Sequence, residues 1–120
     1  MDFVFKILAT LVAVEHIYIM SLETIFTKSA TTARTFNMKR EELSRPSVST
    51  LFKNQSVYNL LLAVLILIAA WGTNDLFWAR CFLGYVLFVA VYGGLTSNPM
   101  IILKQGGPAL AALIYSFACL

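Results

Sequence analysis

Residues Leu60–Trp71 read LLLAVLILIAAW, twelve consecutive apolar positions without a charge. The composition extends this character to the whole chain: of its 120 residues, 59% are hydrophobic and 12% are charged, and the mean hydropathy is +0.78. A soluble domain of this size has too little interior to bury so much apolar surface. Because a membrane-spanning helix needs about 20 apolar residues, the chain predicts a single all-α transmembrane domain, residues 1–120, built as a membrane four-helix bundle.

Polar and helix-breaking residues set the boundaries of the four predicted helices. A basic segment occupies residues 27–53, a polar turn follows Trp71, and Ser97-Asn98-Pro99 makes the last break. Proline removes a backbone donor, so the fourth helix is expected to be kinked or broken at Gly106–Pro108. The predicted helices cover about residues 3–26, 54–71, 76–96 and 100–120.

The basic residues predict the orientation of the chain. Six of the nine Lys and Arg residues fall within 27–53, and the positive-inside rule places that segment in the cytoplasm. Both termini are then extracytoplasmic, and the chain is expected to be a multi-pass protein of the cytoplasmic (inner) membrane. The first helix is interpreted as retained, since Glu15, His16 and Glu23 interrupt any signal-peptide core. Membrane lipids are expected partners of the basic loop, and nucleic acid is not.

The cysteine and histidine content argues against a metal centre. Cys81 and Cys119 match no metal-ligand spacing and form no disulfide framework, although both fall near the same predicted membrane face and their pairing stays open. One histidine with two carboxylates is a poor ligand set. No metal and no cofactor is therefore predicted.

The first helix carries the most informative polar residues. His16 and Glu23 are seven positions apart and lie within about 20° of each other at 100° per residue. Glu15 lies at the edge of the same stripe, about 80° from Glu23. Ionisable groups inside a bilayer are costly and usually mark a function or pair with one another.

Three other segments place polar residues at a similar depth. On helix 2 these are Asn54, Gln55, Tyr58 and Asn59; on helix 3, Tyr92 and Thr96; on helix 4, Gln105 beside Lys104. With Glu23 at the cytoplasmic end of helix 1, and His16 about 10 Å deeper, the four helices predict one polar cavity that opens toward the cytoplasm or the inner leaflet.

The same residues carry a family resemblance. Glu15-His16-Ile17-Tyr18-Ile19-Met20 with Leu22-Glu23, Asn54-Gln55 with Tyr58-Asn59, Tyr92-Gly93 with Thr96, and Gln105 with Pro108-Ala109 resemble a bacterial family of small four-helix membrane proteins catalogued as a domain of unknown function. The resemblance covers nearly the whole chain and implies the four-helix fold and the bacterial cytoplasmic membrane. It implies no activity. Leu60 stands where the resemblance implies a glycine.

Three functions are compatible with these patterns. The first is binding or transport of a small polar or amphipathic molecule. A transport pathway would need a homodimer. The candidate ligand-binding residues are Glu15, Asn54, Gln55, Tyr58, Asn59, Tyr92, Thr96 and Gln105. The second is an intramembrane acid–base enzyme, isomerase-like and acting on a lipid-like substrate, with His16 and Glu23 as the catalytic pair. The third is a structural or accessory subunit, in which the polar residues join the helices. Whether the protein is an enzyme is left open by the sequence.

Overall fold

The computed structural model describes residues 1–120 and contains helices and no strands. Residues 100–119 form one continuous helical stretch, which contains the last α-helix and is called helix 4 below; it is distinct from the α-helix numbered α4. There are six α-helices, two of which are joined to π-helical turns at Ile68–Gly72 and Ile102–Gly106: α1 Phe3–Thr24, α2 Ala30–Phe36, α3 Arg40–Leu43, α4 Pro46–Leu67, α5 Leu76–Thr96 and α6 Gly107–Cys119.

Helix starts follow local capping chemistry. The Asp2 carboxylate accepts a hydrogen bond from the Phe5 amide (2.9 Å) at the start of α1, and Asp75 does the same for Trp78 (3.2 Å) at α5. Helix α4 begins at Pro46, eight residues before the predicted start at residue 54. Proline is favoured in the first turn of a helix, and Pro46 occupies that position here. The segment 27–53, predicted as a loop, is largely helical.

Close packing of small residues forms the core. Helix α1 packs most extensively on α4 and also contacts α6, while α5 packs on helix 4 and touches α4 much less. Eight of the 13 buried residues in the core cluster are alanines. Small side chains let helix backbones approach closely, which is how helices associate without a hydrophobic driving force.

Helix 4 passes its predicted interruption as a π-helical turn. Pro108 has no N–H for the carbonyl four residues earlier, and the wider turn at Ile102–Gly106 lies directly before it. The chain remains helical across Gly106–Pro108. On the facing helix, a β-carbon at Gly94 would lie 2.0 Å from Ile102 Cγ1, so this close approach of α5 to helix 4 requires glycine.

Three helices are long and apolar enough to cross a membrane: Phe3–Thr24, Pro46–Gly72 and Leu76–Thr96. Many large apolar side chains point away from the protein, including Phe88, which is 77% exposed, and Leu95, which is 76% exposed. A water-soluble monomer rarely exposes so continuous an apolar surface. This surface is typical of a protein whose surroundings are lipid.

The bundle has two chemically different ends. The loop end contains α2, α3 and Ser97–Pro99. The terminal end contains Asp2, the Gly72–Asp75 turn and Cys119, and the Tyr115 hydroxyl joins the two chain ends there by donating to Asp2 (2.6 Å). Both cysteines are free and exposed.

Candidate functional site

Two clefts receive most of the predicted polar residues, and Glu15 and His16 line different ones. Consecutive helical residues are about 100° apart, so these neighbours on α1 face different partner helices. The single predicted cavity is therefore divided in two by α1. One cleft, of about 380 Å³, is called the basic cleft and is lined by Glu15, Tyr18, Ile19, Leu22, Thr31, Arg34, Thr35, Asn98, Met100, Ile101, Lys104 and Gln105.

The basic cleft combines an apolar wall with groups of both charges. Glu15 is half-buried, and its Oε1 atom is buried without any hydrogen-bond partner. Neither Lys104 nor Arg34 forms an ion pair, since the ion pair of this structure joins Arg45 and Glu42 on the surface. Gln105 lines the same cleft. The cleft thus holds an unsatisfied carboxyl oxygen and two uncompensated cations.

Helix α2 closes the cleft at the loop end because polar contacts fix it to two other segments. The buried Thr32 hydroxyl donates to the Phe26 carbonyl (2.6 Å), two residues beyond the end of α1. Across the bundle, Ser97 Oγ donates to the Phe36 carbonyl (2.7 Å), and Asn98 Nδ2 donates to the Thr35 carbonyl (3.1 Å). These contacts hold the Arg34 side of α2 against the start of helix 4.

The second cleft, of about 250 Å³, exists because α4 and α5 pack loosely against each other. His16 enters it from α1. We call it the apolar cleft, since most of its wall is hydrophobic; it is lined by His16, Gln55, Tyr58, Asn59, Leu61, Leu62, Leu65, Phe82, Tyr85, Val86 and Val89.

The buried His16 ring has a defined hydrogen-bond arrangement. Its Nδ1 lies 2.9 Å from the Val12 carbonyl oxygen. A carbonyl can only accept, so Nδ1 carries the proton in this contact, and Nε2 of the neutral ring keeps its lone pair. Nearby, Asn59 Nδ2 donates to Glu23 Oε1, which satisfies one oxygen of the buried Glu23 carboxyl group. Glu23 is therefore joined to α4 and not to His16.

Four predicted site residues lie in neither cleft: Glu23, whose carboxyl group accepts from Asn59, and three others. Asn54 is exposed two turns into α4 and caps nothing. Tyr92 is 67% exposed, and the Thr96 hydroxyl donates back to the Tyr92 carbonyl (2.9 Å) within its own helix. The four-residue spacings of this set reflect local helix geometry and do not bring the side chains to one point.

Sequence reasoning missed the contribution of α2 and the Ser97–Pro99 loop. Thr31, Arg34, Thr35 and Asn98 all line the basic cleft, although Arg34 was assigned only to a general basic loop. The available signal was the Asn98 side chain, which had been interpreted as part of a helix break.

At the terminal end, polar side chains pair with one another. Arg80 Nη2 donates to the Ser116 carbonyl (2.7 Å) and Arg80 Nε to Ser116 Oγ (3.1 Å). Trp71 Nε1 donates to Thr10 Oγ1 (2.8 Å). The hydrogen bond from the Tyr115 hydroxyl, reinforced by a backbone amide, lowers the pKa of Asp2. These pairs tie helices together and leave no open polar group comparable to Glu15 Oε1.

Comparison with known proteins agrees with the family resemblance. A family described as "Protein of unknown function (DUF1304)" matches residues 10–117. The chain belongs to this family. It is similar to the "Uncharacterized protein YpaA" of Lactococcus lactis subsp. lactis (strain IL1403), at 54% identity over 112 residues, which cover 92% of this chain and 94% of the relative. No solved structure matches the chain.

Proposed function

We propose that the protein is an integral membrane protein of four spans that binds a small polar or amphipathic molecule in the basic cleft. Besides the three long apolar helices, residues 100–119 form about 30 Å of helix at 1.5 Å per residue, which is enough to cross the hydrocarbon layer. Lys104 lies one turn inside this helix and can reach the interface with its long side chain. By the positive-inside rule, the basic residues of α2, α3 and their flanks favour a cytoplasmic loop end and two extracytoplasmic termini.

The unpartnered Glu15 oxygen carries the binding proposal. A buried polar atom without a hydrogen bond costs about 1–3 kcal/mol. The presence of such an atom in a cleft lined by three segments of the chain favours a ligand that donates a hydrogen bond to it. A volume of about 380 Å³ lies in the range of small-molecule sites. Transport would require, in addition, that the cleft open toward the terminal end.

Site-specific photo-crosslinking in native membranes tests this proposal. A benzoylphenylalanine placed at Met100, on the wall of the basic cleft, should capture a molecule that the same probe at Phe88 does not. Phe88 is 77% exposed on the outer surface of α5 and reports the bulk lipid. Identical adducts from both positions, identified by mass spectrometry, would show that the basic cleft holds no ligand of its own.

Acid–base catalysis at the apolar cleft is the second candidate, because His16 Nε2 is left free by the Nδ1 contact with Val12. A neutral imidazole with its other nitrogen fixed is an effective proton acceptor, and the hydrophobic wall suits a lipid-like substrate. Lipid analysis of membranes containing wild-type protein or His16→Gln tests this function. A lipid whose abundance changes in membranes containing the wild-type protein and not in those containing the variant supports an enzyme. Indistinguishable lipid profiles count against one.

A further inference from the structure

Two cations that form no ion pair line the basic cleft from different parts of the chain. Arg34 lies on α2 and Lys104 on the π-helical turn of helix 4, and both line the basic cleft. The side-chain contact of Arg34 is a long hydrogen bond to Thr31 Oγ1 (3.5 Å). Because Asn98 and Ser97 anchor α2 to the start of helix 4, the two charges are held at one site instead of being spread along a mobile loop.

We propose that the basic cleft takes a phosphate ester, either a lipid headgroup or a soluble ester, with the phosphate group between Arg34 and Lys104; this inference rests on the proposed binding function. An arginine fork and a lysine ammonium are the side chains that bind phosphate oxygens best. The Thr31 hydroxyl, on the same wall, accepts from Arg34 and keeps its own proton for a further phosphate oxygen, whereas the Thr35 hydroxyl already donates to the Thr31 carbonyl (2.8 Å).

The remaining lining residues define the rest of the ligand. Glu15 forms no ion pair with either cation, which places its carboxyl group beyond 4.0 Å from both. Its free Oε1 therefore suits a hydroxyl or ammonium donor on the ligand and not the phosphate itself. The apolar residues Tyr18, Ile19 and Met100 provide a wall for a short hydrocarbon portion. A phosphate joined to a polyol or amine matches all three features, and a cationic amphiphile would be repelled by Arg34 and Lys104.

Phosphate esters of this kind come from the membrane or from solution, and the experiment separates the two sources. The full-length protein is placed in nanodiscs of phosphatidylcholine that contain a minor fraction of phosphatidylglycerol, and the phosphatidylglycerol retained on the ejected protein is measured by native mass spectrometry. In a second arm, glycerol phosphate is added to the same nanodiscs, and its binding and its displacement of the lipid are measured. If phosphatidylglycerol stays bound in the presence of glycerol phosphate, the ligand comes from the inner leaflet. If glycerol phosphate binds and displaces the lipid, the ligand is a soluble ester. Each result supports a phosphate site.

A matched pair of double variants tests the residues. Arg34→Gln/Lys104→Gln removes both cations from the cleft, and Arg45→Gln/Lys39→Gln removes the same charge from exposed positions outside it. Arg34 and Lys104 are themselves exposed, so both double variants should keep the wild-type helical content. We expect the cleft variant to lose about tenfold or more in phosphatidylglycerol or glycerol phosphate affinity, with little change in the control.

Equal losses in the two double variants would overturn the inference, because they would show only general surface electrostatics. Absence of binding by both probes to wild type would also overturn it. The proposed function fails separately: a Met100 adduct without phosphate leaves binding in the cleft intact and removes the phosphate inference, whereas no cleft-specific adduct removes both.

Discussion

The two ends of the bundle differ in how completely their polar residues are paired. At the terminal end, Arg80, Trp71 and Tyr115 each hydrogen-bond to a residue of another segment, so the polar groups act as ties between helices. In the basic cleft, which extends inward from the loop end, Glu15 Oε1 has no partner and Lys104 has no ion pair. The difference indicates that polarity inside this bundle is not by itself a sign of function, whereas polarity left unpaired in a cleft is.

The loop end is nevertheless well packed where α5 meets helix 4. Gly94 contacts the side chain of Ile102, and the neighbouring Ile101 lines the basic cleft. The asymmetry between the ends therefore lies in polar pairing and not in general looseness.

The largest effect is expected from Gly94→Ala. The added β-carbon would lie 2.0 Å from Ile102 Cγ1, and overpacking of this kind costs about 1–3 kcal/mol. The control is Gly84→Ala on the same helix, where the added atom meets nothing within 4 Å. Unfolding by SDS titration in mixed micelles, followed by circular dichroism, measures both. If the two variants unfold together, α5 and helix 4 do not approach as closely as described, and the wall of the basic cleft is not rigid.

A matched pair of cation substitutions compares the two ends directly. Arg80→Met removes two hydrogen bonds to Ser116 and the contact of the guanidinium with the Phe117 ring at 4.2 Å. We expect a loss of about 2 kcal/mol in the free energy of unfolding.

Lys104→Met removes no ion pair, and its effect on stability should stay within about 0.5 kcal/mol. The same SDS titration reads out both substitutions. A stability loss for Lys104→Met as large as that for Arg80→Met would show that the loop-end cation is also a structural tie, which would remove the distinction between the ends.

Much of the fold could be predicted from the lengths of the apolar segments and the positions of the helix-breaking residues between them. Three long apolar helices lie where the sequence places them, and the bounds of α5, Leu76–Thr96, agree with the prediction. The predicted start of α4 was wrong by eight residues, because the prediction ended the loop with the basic segment 27–53, whereas the fixed φ and missing donor of Pro46 suit the first turn of a helix. The interruption of helix 4 is a π-helical turn, since neighbouring packing and a wider turn accommodate Pro108.

The candidate site could be predicted only in part. Glu15, His16 and Asn59 line the two clefts, and their depth along each helix could be predicted because it follows from residue count. Depth does not determine which partner a helix face meets, so the separation of Glu15 from His16 was missed. The partner of Glu23 proved to be Asn59, a tertiary contact between residues 36 positions apart in the chain. The position of Arg34 in the basic cleft depends on how α2 docks against Asn98, which no local pattern encodes.

The smallest expected effect concerns the exposed tie between the chain ends. The Tyr115 hydroxyl is the main cause of the lowered pKa of Asp2, whose ordinary value is 3.8. Tyr115→Phe should raise the pKa of Asp2 toward that value, while Tyr85→Phe, in the apolar cleft, should leave it unchanged. Carboxyl-carbon NMR titration in nanodiscs measures both variants. A lowered folded-state pKa adds stability above the unfolded value, and that stability is lost as the pH falls through the folded value, so the wild-type advantage over Tyr115→Phe should vanish in acid. An Asp2 titration identical in wild type and Tyr115→Phe would mean that this contact does not persist in lipid, and the terminal end would then be held by Arg80 and Trp71 alone.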